Sequence, residues 1–160
     1  MPDMLALSQH LPEIELAAGE ALVTEGGRTG SIWLLVSGSL QVLKGDILIN
    51  TIDRPGAVFG EIAVLLGTGH SATVRAATPS RLRYAQDGEA FLHGNPEILF
   101  HVASGLAERL DIVTGYLADL RNQYVDAPGI AMVSDVLGRL VGHPGTTPRT
   151  GSARDPDPEY

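Results

Sequence analysis

The sequence predicts an α+β fold, in which an antiparallel β-roll (a jelly-roll-like, double-stranded β-helix) is followed by long C-terminal helices. Short apolar runs separated by glycine recur about every eight to twelve residues between 13 and 84, a spacing typical of a sandwich or barrel. After residue 84 the apolar residues recur at helical spacing instead. The chain has no cysteine, which excludes a disulfide framework and thiolate metal sites.

The first half of the chain supplies the strands of the predicted roll. Residues 3–10 predict one or two N-terminal helical turns that end before Pro12. The clearest strand is 32–36, and residues 44–46 predict a tight reversal that joins strands 40–43 and 47–52 in a hairpin. The sequence returns to strand at 73–75 and 82–84.

One segment inside the roll breaks the strand pattern. Residues 60–66 are apolar without alternation, which predicts a short inserted helix. Gly60 opens this helix, and the first amides of a helix attract anions through hydrogen bonds and the helix dipole. Glu61 follows in the first turn, where its carboxylate can accept hydrogen bonds from vicinal hydroxyls. The next strand is expected to begin at His70 and Ser71, and this set suits a sugar phosphate. The alternative is a glycine-capped helix with a solvated glutamate.

The second half of the chain predicts helices. Residues 86–93 predict a short helix. A long helix over 95–124 then begins with Asn95 as N-cap and Pro96 in the first position. One apolar row repeats every seven residues along it: Leu99, Leu106, Val113 and Leu120. A helix of 28 residues is about 42 Å long. The roll covers only part of that length, which predicts a homodimer; the alternative is that the stripe packs wholly on its own domain.

The predicted organisation is therefore a domain over 1–124 that includes the dimerisation helix. A short amphipathic helix over 128–142 follows it, and a polar, disordered tail over 143–160 ends the chain. The beginning of the chain lacks a basic segment followed by a long apolar run, and the longest central apolar stretch is too short for a membrane. We expect a soluble, cytoplasmic protein without membrane contact.

Charge and composition exclude several function classes. The net charge of −8 argues against direct binding of nucleic acid, whereas a small anion can still bind where the local field is positive. The five histidines lack metal-ligand spacing, and no Gly-x-Ser-x-Gly turn accompanies a serine. We therefore expect no metal, no cofactor and no enzymatic activity.

Two segments carry a family resemblance. Residues 59–63 read Phe-Gly-Glu-Ile-Ala, and residues 70–76 read His-Ser-Ala-Thr-Val-Arg-Ala. They resemble the phosphate-binding cassette of the cyclic-nucleotide-binding domains of the catabolite activator protein (Crp/Fnr-like) family, of protein kinase A regulatory subunits and of cyclic-nucleotide-gated channels. That cassette reads Phe-Gly-Glu-Leu-Ala, then Arg-(Ser/Ala/Thr)-Ala-Thr-Val-(Arg/Lys)-Ala. The resemblance covers roughly residues 5–124, because Glu25-Gly26, Gly38 and 95–99 also match.

The resemblance implies a cyclic nucleotide, cAMP or cGMP, as the ligand. It implies that the amides from Gly60 to Ala63 face the ribose and phosphate, that Glu61 accepts the ribose 2′-hydroxyl and that Ser71 donates to the phosphate. Thr114 matches a hydroxyl residue that reaches the base from the dimer helix. The full set implied to bind ligand is Phe59, Gly60, Glu61, Ile62, Ala63, His70, Ser71, Ala72 and Thr114.

The largest departure from the family pattern is His70, which stands where the family has arginine. Histidine is mostly neutral at neutral pH and lacks the planar fork that matches a phosphate. The site is then expected to bind weakly, or with a pH dependence if the phosphate protonates His70, or to have lost the nucleotide. Arg75 is not expected to replace the missing charge, because strand alternation places residues 70 and 75 on opposite faces.

The leading hypothesis is a non-enzymatic sensor of cyclic nucleotides for signal transduction, in which the ligand repositions the C-terminal helix and the dimer. Its output is expected to reach a protein effector rather than DNA, since only 36 residues follow Tyr124, where the catabolite activator has a DNA-reading domain. The alternative is a degenerate module that acts as a dimeric scaffold for protein interactions without nucleotide. The chain is equally consistent with a fragment of a longer protein.

Overall fold

The computed structural model describes residues 3–141. Within them, eight strands form two antiparallel sheets of four, and this confirms the predicted antiparallel β-roll. The first sheet has the order β1-β8-β3-β6 and the second the order β2-β7-β4-β5. The strands are β1 Glu13–Leu16, β2 Ala21–Val23, β3 Ile32–Ser37, β4 Leu40–Lys44, β5 Ile47–Ile52, β6 Val58–Phe59, β7 Thr73–Ala76 and β8 Ser80–Ala85.

The helices are α1 Met4–Leu7, α2 Glu61–Leu66, α3 Gly88–Gly94, α4 Pro96–Gln123 and α5 Ile130–Leu140. The described residues divide between Ser104 and Gly105 into two compact units, so α4 contributes to both. No helix of the described segment is both long and apolar enough to cross a membrane. The tail predicted for 143–160 lies outside the described residues.

The predicted hairpin is confirmed. Strands β4 and β5 pair antiparallel across Gly45 and Asp46, and Gly45 has a φ of 57°. Strand β4 also pairs with β7, with Val42 opposite Val74 and Leu40 opposite Ala76. These residues pack in or against the hydrophobic core between the sheets. Since successive side chains of a strand alternate between faces, these four side chains share the face of the sheet that packs against the core.

The predicted strand start at His70 and Ser71 is wrong. Strand β7 begins at Thr73, the first residue that pairs with β4. The backbone of His70 bonds instead to the loop after β2, with Gly26 N donating to His70 O and His70 N donating to Gly27 O, each at 2.8 Å. The segment 67–72 is therefore a loop pinned to a second loop.

The helices begin and end close to the residues that the sequence predicts. Helix α4 begins at Pro96, and Asn95 O accepts its first hydrogen bond from Leu99 N at 3.0 Å. Asn95 therefore stands at the predicted N-cap position of α4, and its side-chain Nδ2 donates to Phe91 O of α3 at 2.7 Å. The beginning of α4 is held in the first unit by Ile98 and Val102, which are buried.

The second unit is different. None of its described residues, 105–141, is buried. Four large apolar side chains of α4 are at least 44% exposed: Leu110, Ile112, Val113 and Tyr116. Tyr124, directly after the helix, is 50% exposed. A helix that exposes so much apolar surface needs a partner to cover it. The homodimer stays a prediction.

Candidate functional site

The predicted anion site lies at the N-terminus of α2, where Gly60 is the N-cap. Gly60 has a φ of 89°, and a Cβ there would lie 2.5 Å from Ser31 O and 3.1 Å from the Trp33 ring. Only glycine fits, both for backbone conformation and for space. Gly60 provides no side-chain cap, so no side chain of the cap residue covers the first turn of the helix. The local geometry is that of an anion-binding helix end.

Glu61, the first residue of α2, is buried with a relative exposure of 6%. Glutamate is rarely buried in proteins. The alternative of a glycine-capped helix with a solvated glutamate is therefore wrong. The carboxylate is held inside the roll, beside the end of the helix, where it can accept hydrogen bonds from a hydroxyl-bearing ligand.

The other residues of 59–63 have different positions. Phe59 belongs to the hydrophobic core and pairs with Trp33 across the sheet. Ala63 is buried and Ile62 half-buried on α2. Phe59 thus supports the site from the core, while α2 presents its backbone.

The second block, His70 to Ala72, lies on the pinned loop. Gly69 packs on the neighbouring loop so closely that a Cβ would lie 2.6 Å from Gly26 O. Ser71 is exposed and Ala72 half-buried. Ser71 O accepts a hydrogen bond from Lys44 Nζ at 2.6 Å. The loop is fixed by its backbone, which leaves the Ser71 side chain at the surface.

The His70 side chain is buried, at 5% exposure, and does not face solvent. A hydrogen bond of 2.8 Å joins its Nε2 to Thr29 Oγ1, and its ring lies 6.1 Å from the Trp33 ring. Burial lowers the pKa of His70 below its ordinary value, because desolvation disfavours the charged imidazolium. At neutral pH the loop therefore carries a neutral ring at position 70, which agrees with the expected lack of a permanent charge there.

Arg75 does not replace this charge, as predicted. It lies on β7 between the inward-facing Val74 and Ala76, is exposed, and its Nε donates to Gln41 Oε1 at 3.0 Å. The reason differs in detail from the prediction, since residue 70 is outside the strand. The guanidinium points away from the core side of the sheet.

Trp33 packs in the hydrophobic core, and its ring stacks on the ring of Tyr84 with the centroids 5.5 Å apart. Thr114 lies on the part of α4 that belongs to the second unit and is half-buried there. Its contact with a base stays a prediction.

Sequence reasoning missed Thr29 and Lys44. Thr29 lies 41 residues before His70, and no spacing rule links them. Lys44 lies in the predicted hairpin turn and is the single lysine of the chain, but no spacing rule links it to Ser71, 27 residues later.

A cavity of about 400 Å³ lies at the opposite, C-terminal end of α2, inside the first unit. It is lined by residues of α2, α3 and the beginning of α4: Val64, Leu65, Leu66, Gly67, Glu89, Leu92, His93 and Leu99. Helix α2 thus connects the candidate site at one end with an apolar cavity between helices at the other.

Comparisons with known proteins agree with this geometry. Residues 13–93 match the family model of the cyclic nucleotide-binding domain. The chain is 26% identical over 144 residues to a cAMP-dependent protein kinase regulatory subunit of Yarrowia lipolytica, covering 79% of this chain and 36% of that protein. It is 27% identical over 113 residues to the neuropathy target esterase sws of Drosophila virilis, covering 60% of this chain and 8% of the esterase. The chain therefore spans well under two thirds of either relative.

The fold is also found among solved structures. The catabolite activator protein of Thermus thermophilus superimposes with a TM-score of 0.60 at 22% identity, covering 78% of this chain and 60% of that one. This likeness concerns the fold: a β-roll with helices after it.

Proposed function

This chain belongs to the cyclic nucleotide-binding domain family, and we propose that it is a regulatory sensor that binds cAMP or cGMP at the N-terminus of α2. One observation carries the proposal: Glu61 is buried directly beside a glycine-capped helix end. A buried carboxylate accepts hydrogen bonds from ribose hydroxyls, and the amides of the helix end donate hydrogen bonds to phosphate oxygens. The ligand-binding residues are those of 59–63 and 70–72, together with Thr114.

The neutral His70 sets the expected affinity. An arginine in this position would make charge-assisted hydrogen bonds, each worth about 1.5–3 kcal/mol. Their absence weakens binding by about ten- to a hundredfold. The proposal is therefore a weak sensor, which responds to high concentrations of ligand.

The signal would leave the site through α2. Its C-terminal half shares an apolar cavity with α3 and with the beginning of α4. A ligand that draws the N-terminus of α2 toward a phosphate changes how the other end packs there, and α4 would move with it. We propose that the exposed apolar residues of α4 form a homodimer interface along 95–124. The dimer would pass the signal to a protein effector in the cytoplasm. The proposal includes no enzymatic step, no cofactor and no contact with DNA or membrane.

A second candidate function is favoured by one observation, the hydrogen bond between His70 and Thr29. It satisfies the imidazole within the protein, so the loop is complete without a phosphate. On that reading the chain is a degenerate module that serves as a dimeric scaffold.

Calorimetric titration separates the two functions. The native chain, His70→Arg and Glu61→Gln are titrated with cAMP and with cGMP at pH 6 and pH 8. A sensor binds one of them, His70→Arg strengthens binding by about tenfold or more, and Glu61→Gln weakens it by at least about tenfold. Glu15→Gln, at an exposed position of β1, is the control for removing a carboxylate. Silence from both the native chain and His70→Arg leaves the scaffold.

Sedimentation velocity tests the dimer separately. Val113→Asp places a charge on the exposed apolar stripe of α4, where Val113 is 47% exposed. We expect the native chain to sediment as a dimer and Val113→Asp as a monomer with unchanged helix content. A native monomer at every concentration contradicts the dimer and leaves the nucleotide site unaffected.

A further inference from the structure

The chain contains a single lysine, Lys44, at the end of β4. Leu40 and Val42, which precede it at intervals of two, pack in or against the hydrophobic core between the sheets. Strand β4 pairs with β7 from Leu40 to Leu43. Lys44 follows as the last residue of β4, at the end of the strand where the pinned loop 67–72 meets the sheet.

The charged end of Lys44 contacts that loop. Its Nζ donates to the backbone oxygen of Ser71 at 2.6 Å, and Ser71 is the residue whose hydroxyl is expected to donate to the phosphate. The ammonium also forms an ion pair with Glu25, whose Oε1 lies 3.8 Å from Lys44 Nζ. The same Oε1 accepts a hydrogen bond from Gly45 N at 3.2 Å. An ammonium group has three donors, and the Ser71 carbonyl takes one of them.

The site needs a cation that its loop does not provide. His70 is buried and bonded to Thr29, and Arg75 lies on the outer face of β7 bonded to Gln41. The chain as a whole carries a net charge of −8, so an anionic ligand requires a local positive charge. The Lys44 side chain is 61% exposed, and a ligand can reach it.

We propose that Lys44 is the cation that contacts the phosphate of the ligand, in place of a charged side chain at position 70. This inference rests on the proposed function and adds the residue that selects an anionic ligand. The ammonium keeps its hydrogen bond to Ser71 O and turns a second N–H toward a phosphate oxygen beside Ser71. Because this contact does not involve the His70 imidazole, it predicts affinity that changes little between pH 6 and pH 8, whereas a phosphate held by protonated His70 predicts tighter binding at pH 6.

Calorimetric titration with cAMP and cGMP tests the proposal on the whole chain and three variants. Lys44→Met is expected to weaken binding by about tenfold, and Lys44→Arg to stay within about threefold of native. Arg75→Met is the matched control, since it removes one positive charge from the outer face of the same sheet, and its affinity is expected to stay within about twofold of native. Thermal denaturation verifies that each variant folds, and Lys44→Gln replaces Lys44→Met if that variant does not.

The outcomes separate this inference from the proposed function. Binding by the native chain with undiminished affinity in Lys44→Met overturns the inference alone. An equal loss in Arg75→Met also overturns it, because the effect is then long-range charge rather than a contact. Absence of binding by the native chain overturns both.

A second measurement uses the single lysine directly. An amine-acylating reagent modifies Lys44 and the α-amino group, and mass spectrometry measures both rates in the same sample. Saturating cAMP is expected to slow acylation of Lys44 several-fold and to leave the α-amino group unchanged. Equal rates at Lys44 with and without bound cAMP contradict the contact.

Discussion

The two halves of the candidate site differ in charge and in what holds them. The half on α2 carries a buried carboxylate, Glu61, beside a glycine-capped helix end. The half on loop 67–72 carries a buried, neutral ring, His70, bonded within the protein to Thr29. The first half has the groups that a sugar and a phosphate need, while the second has no cation at position 70. Recognition of the sugar and neutralisation of the phosphate are therefore separable in this fold.

The largest effect is expected where the first half depends on glycine. Gly60 and Gly67 flank α2, and both have positive φ, but only Gly60 is in close contact with its surroundings. Gly67→Ala is expected to lower the free energy of unfolding by about 1 kcal/mol, from backbone strain alone. Gly60→Ala adds the clash with Ser31 O and is expected to cost about 3 kcal/mol. Urea denaturation measures both, and equal losses would show that the packing at Gly60 contributes nothing.

A smaller effect is expected where the second half depends on a hydrogen bond. Thr29→Val removes the partner of a buried imidazole and is expected to lower the free energy of unfolding by about 1–2 kcal/mol. Thr68→Val is the control, because the Thr68 hydroxyl bonds to an exposed carbonyl, and its effect is expected within about 0.5 kcal/mol. In a His70→Leu background the cost of Thr29→Val should fall to that of the remaining 3.3 Å hydrogen bond from Ser31 N to Thr29 Oγ1. An undiminished cost there would show that the His70 bond contributes nothing.

The smallest effect is a pH dependence of stability. Since burial lowers the pKa of His70 in the folded state, the unfolded chain binds a proton at a higher pH than the folded chain does. The stabilisation is present above about pH 6.5 and is lost as the pH falls through the folded-state value. The urea midpoint should therefore decrease more between pH 8 and pH 5 in the native chain than in His70→Gln. A larger fall in His70→Gln would contradict a buried, neutral histidine.

The sequence predicts the local features of this fold better than its long-range contacts. The hairpin β4–β5, helix α2 behind Gly60 and helix α4 behind Pro96 each follow from residues close together in the chain. The start of β7 does not, because the backbone of His70 bonds to Gly26 and Gly27 some 43 residues earlier, outside any local rule. The hydrogen bond from Asn95 Nδ2 to Phe91 O is local by contrast, since it joins residues four apart in the chain.

The candidate site shows the same division. The glycine at position 60 and the glutamate at 61 could be assigned from their order in the chain, but burial of Glu61 could not, because it depends on how α2 packs in the roll. The pairing of His70 with Thr29 depends on two loops meeting. The contact of Lys44 with Ser71 O joins residues 27 apart, so it depends in the same way on where the end of β4 meets the loop 67–72.

The most direct test of the account compares cAMP with 2′-deoxy-cAMP on the native chain and on Glu61→Gln, by calorimetric titration. If the Glu61 carboxylate accepts the ribose 2′-hydroxyl, removal of that hydroxyl weakens binding to the native chain by about tenfold and changes binding to Glu61→Gln little. The same loss in both proteins would contradict the account, because the hydroxyl would then be recognised by a group other than Glu61.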